Sequence, residues 1–163
     1  LKAGDLILPT RVIAAQSKRL TCDPDWTGRL EDALGDMVAR KGTTLAHSPT
    51  IVAGPRRKSV LRATTEADAV DMESYAVGRA ARKAGRPFAI IRAVSDTADT
   101  RLPEWTDEIV STSGGTDGVR LLKNLAAHPG DIGKLLALGR GSTRALKVLR
   151  GAAGRLGPGL AFG

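Results

Sequence analysis

Sulfur, aromatic rings and long apolar runs are all scarce in this chain. A single cysteine, Cys22, excludes an internal disulfide and suits a reducing compartment. Nothing beside Cys22 would activate its thiol, so it reads as structural rather than reactive. The two histidines, His47 and His128, stand alone, and no spacing of Cys, His and carboxylates suits a metal. Phe, Trp and Tyr make up 3% of the residues, which argues against a stacking platform for single-stranded nucleic acid. No nucleic-acid-binding motif is present either. No apolar run reaches transmembrane length, and no signal peptide is visible. Gly114-Gly115 lacks the strand-to-helix setting that a phosphate-binding loop requires.

What remains is enough for one domain. The 163 residues are 42% hydrophobic, which supports a core. The net charge is +8, and a basic balance points to an anionic partner: nucleic acid, phosphate or an anionic membrane. The plain alternative is an Arg-rich composition with solvated positive faces.

Gly4-Asp5 reads as a turn into a strand, LILPTRVIAA. Residues 21–28 read as a loop. Thr27 is a plausible N-cap for a helix over 28–40, with Leu30, Leu34, Met37 and Val38 on one face. Trp26, at that helix entry, reads as a packing anchor ahead of a base-stacking residue. A strand is expected over 43–53, broken at Pro49, and a short helix over 58–63. Arg56, Arg57 and Lys58 are either anion contacts or a solvated helix start. Residues 100–118 form a long polar loop, a candidate lid, and Thr116 or Asp117 caps a helix through Ala127. His128-Pro129-Gly130 is a boundary. It separates residues 1–127 from a basic tail, 128–163. The tail carries six bases against one acid, interleaved with Leu135, Leu136, Leu138, Leu146, Val148, Leu149 and Leu156. Such a helix either docks on a membrane surface or partner, or packs on its own domain.

Residues 69–102, AVDMESYAVGRAARKAGRPFAIIRAVSDTADTRL, organise the rest. A short buried strand over 69–72 ends at Glu73. A helix follows with Ala76, Val77, Ala80 and Ala81 as its apolar face and Arg79, Arg82 and Lys83 opposite. Gly85 and Pro87 stop it. Residues 88–94 then read as a strand covered on both faces. Strand, helix, strand at this length is a βαβ unit, and it places Glu73 and Asp96 just past the two strand ends, where ligands bind in open α/β sheets.

Met72-Glu73, followed by Ser95-Asp96-x-Ala98-Asp99, resembles the signature of the nucleoside phosphorylase and methylthioadenosine/adenosylhomocysteine nucleosidase superfamily. AVDMES and SDTADTRLP together are most similar to the hopanoid-associated phosphorylase-like proteins, and "GDLILP" carries the resemblance back almost to Leu1. It implies an α/β, three-layer αβα domain with a central mixed sheet and a C-terminal basic amphipathic helical tail. It also implies cytoplasmic cleavage of adenine from an adenosyl compound, adenosylhopane in the hopanoid-associated proteins. Asp96 would protonate the purine at N7, with Ser95 orienting it. Glu73 would grip the vicinal ribose hydroxyls, with Met72 packed on the sugar. The loop at Gly54 would pass over the base. Arg92 would ion-pair with a site carboxylate, and Tyr75 would narrow the site. The plain alternatives are that Asp96 caps a loop and that Glu73 sits in a first helical turn because the helix dipole favours it.

The family pattern continues upstream of Leu1, and the chain has no initiator Met, so it reads as N-terminally incomplete. The upstream part would hold the first strands, the phosphate loop and a water-activating carboxylate. No cofactor is expected; phosphate is a candidate co-substrate, so hydrolysis and phosphorolysis both stay open. The expected partners are an adenosyl lipid or a purine nucleoside, and peripheral contact with an anionic membrane. No nucleic acid is expected, and a homo-oligomer is compatible. Two alternatives stand beside the lipid reading: a soluble nucleosidase or phosphorylase for small nucleosides, and a non-catalytic basic binding protein.

Overall fold

The computed structural model describes residues 1–14, 18–101, 103 and 127–162. A mixed sheet forms around β1 (Leu6–Ala14), which has a strand on each side. β2 (Lys18–Thr21) pairs with it antiparallel, and β3 (Val38–His47) pairs with it parallel along almost its whole length. β4 (Ala69–Asp71) extends the sheet parallel to β3, and β5 (Arg92–Ala93) pairs antiparallel with the start of β1. Helices cover both faces, as the expected architecture requires.

Two apolar clusters, one per face, hold the layers together. On one face Leu6 and Leu8 pack with Leu30 and Leu34 of α1 (Pro24–Leu34) and Ala152 of α4 (Ile132–Leu156). On the other, Val12, Cys22, Leu45 and Ile90 pack beneath Tyr75 of α3 (Ser74–Lys83). Strict alternation would put Val12 on the same face as Leu8. Register shifts on either side of Pro9 move it to the opposite face, as a bulge does. Residues 88–94 show the period of two: Ala89, Ile91 and Ala93 join the first cluster, Phe88 and Ile90 the second. The expectation of a segment covered on both faces holds, although only Arg92–Ala93 carries ladder pairing.

The β4–α3–β5 segment is not a parallel βαβ unit. β5 runs against β1, hence against β3 and β4, and is paired at the far side of β1. β4 itself stops at Asp71, one residue short of the expected strand.

The apolar face expected of α3 is also corrected. Val77 is 59% exposed, Ala76 and Ala80 are exposed, and the buried positions are Ser74 and Gly78. The reason is close approach: a Cβ on Gly78 would lie 2.7 Å from the Phe88 ring and 3.0 Å from Leu20. α3 is seated by its smallest side chains.

Several boundaries differ from expectation. α1 begins at Pro24 because Asp23, not Thr27, caps it; Asp23 Oδ1 accepts from the Trp26 amide at 2.7 Å, and Pro24 suits the first helical position. Gly35, at φ 52°, ends it, so β3 starts at Val38 and the strand expected over 43–53 is shifted toward the N-terminus. α2 (Pro55–Thr65) is longer at both ends than expected, with Pro55 again at the first position. The candidate lid and the helix expected before Ala127 lie outside the described residues, apart from their ends.

α4 spends part of its apolar stripe on the domain, while Leu136 and Leu146 are each 55% exposed. Gly141, Ala145 and Ala152 are buried, and Val148, Leu149 and Leu156 pack against the first cluster. Its cations Arg140, Arg144, Lys147 and Arg150 are all exposed. Beyond α4 the chain is tied to α1: Trp26 Nε1 donates to the Leu160 carbonyl at 2.8 Å and meets the Phe162 ring edge-on at 4.9 Å. Trp26 is the packing anchor. Among the described residues no helix is long and apolar enough to cross a membrane.

Candidate active site

A cleft of about 300 Å³ opens between β4, β5 and α2. Two charged clusters stand on its walls, and each joins residues far apart in sequence.

The first is built on Asp96, just after β5. Ser95 Oγ donates to Asp96 Oδ1 at 3.0 Å. Lys58 of α2 ion-pairs with the other carboxylate oxygen, and its Nζ also donates to the Thr97 carbonyl at 2.7 Å. The turn is closed by the Thr97 amide, which donates to Thr100 Oγ1 at 3.1 Å. Behind it lies α4. A Cβ on Gly141 would fall 2.1 Å from the Ser95 carbonyl oxygen, so the helix backbone rests on the strand end.

The second cluster is built on Arg92. Its guanidinium ion-pairs with Asp71, at the end of β4, and donates to Glu73 Oε2 at 3.1 Å and to Ser74 Oγ at 3.1 Å. Asp71 is nearly buried and also receives the Ser74 amide and hydroxyl, which fixes the start of α3 against β4. A carboxylate there also complements the positive end of the helix dipole. Glu73 occupies the N-cap position of α3 but caps nothing with its side chain, which is 65% exposed. It is accessible to a ligand from solvent.

The structure thus brings Ser95, Asp96 and Arg92 to one cleft, and Arg92 reaches over to Glu73. Met72 is 37% exposed beside Glu73 and is not among the cleft's walls. Gly54 lies at the N-terminus of α2, at φ 78°, a conformation that suits glycine and lets the chain turn into the helix. Tyr75 stacks on His47 at 5.4 Å and lines a separate, more open depression of about 890 Å³ on the β2 side of α3. It does not line the cleft. Cys22 is buried and its thiol is pushed up to about 12 by desolvation, in keeping with a structural role. Among the described residues no group of His, Cys, Asp or Glu is arranged to hold a metal.

Sequence reasoning missed three participants. Nothing in the run of three bases sets Lys58 apart from Arg56 and Arg57; its signal is helical spacing, since Lys58, Leu61 and Arg62 share the face that lines the cleft. Asp71 stands directly before Met72-Glu73, and a cation inside the apolar run 88–94 asks for such a buried counter-charge. Gly141 left no local signal, because its constraint comes from a strand 46 positions away.

Residues 1–127 match the phosphorylase superfamily, and the chain belongs to it. Among solved structures it is similar to S-adenosylhomocysteine nucleosidase from Streptococcus pyogenes in complex with 5-methylthiotubericidin, at 19% identity and TM-score 0.58. It is similar too to 5′-methylthioadenosine/S-adenosylhomocysteine nucleosidase from Helicobacter pylori with butyl-thio-DADMe-Immucillin-A, at 18% and 0.60. Futalosine hydrolase from Helicobacter pylori strain 26695 follows at 17% and 0.62. Each match covers 96% of this chain and 62% of the other, so the chain spans about three fifths of the length of these structures.

Proposed function

We propose that this domain serves the cleavage of an N-glycosidic bond in an adenosyl compound, with release of adenine, and that the compound is adenosylhopane, a membrane-lipid precursor. The observation that carries the reading is the Asp96 carboxylate, held by Ser95 and Lys58 on the wall of a cleft. Asp71 and Arg92 line the same cleft.

The chemistry assigns the roles. An anionic adenine leaves poorly, so the purine must gain a proton as the bond breaks; Asp96, entering the step as the protonated acid with Ser95 orienting its carboxyl, gives that proton to N7 and is left as the carboxylate that pairs with Lys58. The sugar must be held while its anomeric carbon becomes positive. Glu73 can accept two hydroxyl hydrogen bonds at once, and Met72 offers apolar contact beside it. The backbone at Gly54 passes over the base. Arg92, on the cleft wall, holds Glu73 through its guanidinium. The nucleophile approaches the opposite face of the sugar. Water is supported by the nucleosidases and the hydrolase named above; phosphate is the other candidate. The reading needs no cofactor.

Support for a lipid substrate comes from the AVDMES and SDTADTRLP motifs and from the outward cations of α4, which would favour peripheral contact with an anionic membrane. The second reading, a small nucleoside, is favoured by the nucleoside analogues in the similar nucleosidase structures.

The test is adenine release by the full-length protein from adenosylhopane in vesicles and from methylthioadenosine in solution. Asp96→Asn should lower release by about 10²–10⁴-fold while binding survives. Near-normal turnover in that variant would sink the role of Asp96. Preference for methylthioadenosine would move the substrate to the small nucleosides.

A further inference from the structure

Lys58 belongs to a run of three bases at the start of α2, but its surroundings are not theirs. Arg56 and Arg57 are exposed, whereas the Lys58 side chain is 12% exposed and turned into the cleft. An ammonium group that gives up water holds such a place only where polar partners replace its hydration. Among the described residues it has two, and both belong to one turn: the Asp96 carboxylate and the Thr97 carbonyl oxygen.

The consequence is geometric. Ser95 Oγ holds one oxygen of the Asp96 carboxyl, and Lys58 holds the other. Ser95 is the neighbour of Asp96 in the chain and moves with it; Lys58 comes from a different element and does not. Among the described residues, Lys58 is therefore the side chain that references the carboxyl plane to the body of the domain. Its second bond, to Thr97, stays available when an Asp96 oxygen turns to a ligand, so the turn remains tethered to α2 during that exchange.

We propose that Lys58 is a positioning residue for the Asp96 site: it fixes the plane of the carboxyl that meets the purine and anchors the 95–97 turn to α2, without touching the nucleoside. This rests on the nucleosidase reading given above. A group that must deliver a proton to one ring nitrogen depends steeply on its orientation, and a misplacement of about 1 Å costs about 100-fold.

The test uses the full-length protein and measures adenine release. Lys58→Met should lower kcat by about 100-fold and change KM by less than about threefold, because the lysine orients the acid and does not bind substrate. Lys58→Ala should recover turnover on addition of ethylamine, which can occupy the vacated space and pair with Asp96. Lys58→Arg, which keeps the charge with a different reach, should fall between wild type and Lys58→Met. Turnover of Lys58→Met within about threefold of wild type overturns the assignment. So does a loss in Lys58→Ala that ethylamine does not restore and that a lower melting temperature matches, the mark of a merely structural lysine. A wild-type protein that releases no adenine from any adenosyl nucleoside overturns the nucleosidase reading itself, and this assignment with it.

Discussion

The Gly141 backbone of α4 rests on the Ser95 carbonyl: a Cβ at that glycine would lie 2.1 Å from the oxygen. The basic C-terminal helix is thereby coupled to the residue next to Asp96. Gly141→Ala cannot be absorbed by a side-chain shift, because the obstacle is backbone. The expected outcome is a destabilisation of about 1–3 kcal/mol, as overpacking usually costs, read by urea unfolding. Adenine release should fall together with it, since relief of the clash displaces Ser95 and Asp96. Unchanged stability would show that the helix does not press on this strand.

Arg92 predicts an asymmetry between its two carboxylates. Asp71 is nearly buried and depends on the guanidinium, whereas Glu73 is mostly solvated. Arg92→Met strands the Asp71 charge and should destabilise the fold by about 2 kcal/mol, discounted for the partial exposure of the arginine. Glu73→Gln should cost little stability but raise KM and lower turnover together, because ribose contacts serve both binding and the transition state. The Glu73 effect should vanish on a 2′,3′-dideoxyribosyl substrate. Denaturation curves and kinetics on both variants check the contrast.

The tail should prove indispensable for folding. Ending the chain at His128 strips Ala152, Val148, Leu149 and Leu156 from the cluster that contains Leu6, Leu8, Leu30 and Leu34. Loss of a cooperative thermal transition is expected, with dye binding to the uncovered face. A truncated chain that melts as cooperatively as the whole would contradict this packing. Membrane affinity is better sought in the charge alone: replacing Arg140, Lys147 and Arg150 by Gln should weaken sedimentation with anionic liposomes at low salt and leave the melting temperature nearly unchanged.

Cys22 gives the pH dependence. Burial pushes its thiol up from 9.0 to about 12. A group whose folded value is raised contributes stability that is complete below the unfolded value. That contribution is lost as pH rises through the folded value, so the loss falls between about 9 and 12. Cys22→Ala should flatten the alkaline limb of stability over that range. The thiol should also resist a disulfide reagent at pH 8 in the folded protein and react once urea unfolds it.

The local pattern of the sequence settled much of this protein. The alternating contacts of 88–94, the break at Gly85 and the start of β1 after Gly4-Asp5 follow from periodicity and from residues with restricted backbones. The family motifs marked Ser95, Asp96, Met72 and Glu73 as candidate site residues, and Ser95 and Asp96 line the cleft. Boundaries at Asp23-Pro24 and Gly35 were also written in the chain, in capping chemistry that outweighs apolar spacing. Tertiary structure decided the rest. The direction of β5 depends on which edge of β1 was open to it. The buried face of α3 is set by the Phe88 ring, which leaves room only for Gly78. Lys58 and Gly141 matter because of what they meet 38 and 46 positions away, and no local pattern encodes a distance through space. α4 was equally suited by its amphipathicity to a membrane or to its own domain. Its C-terminal part went to the domain because the face carrying Leu6, Leu8, Leu30 and Leu34 needed a cover, and Leu136 and Leu146 stayed exposed.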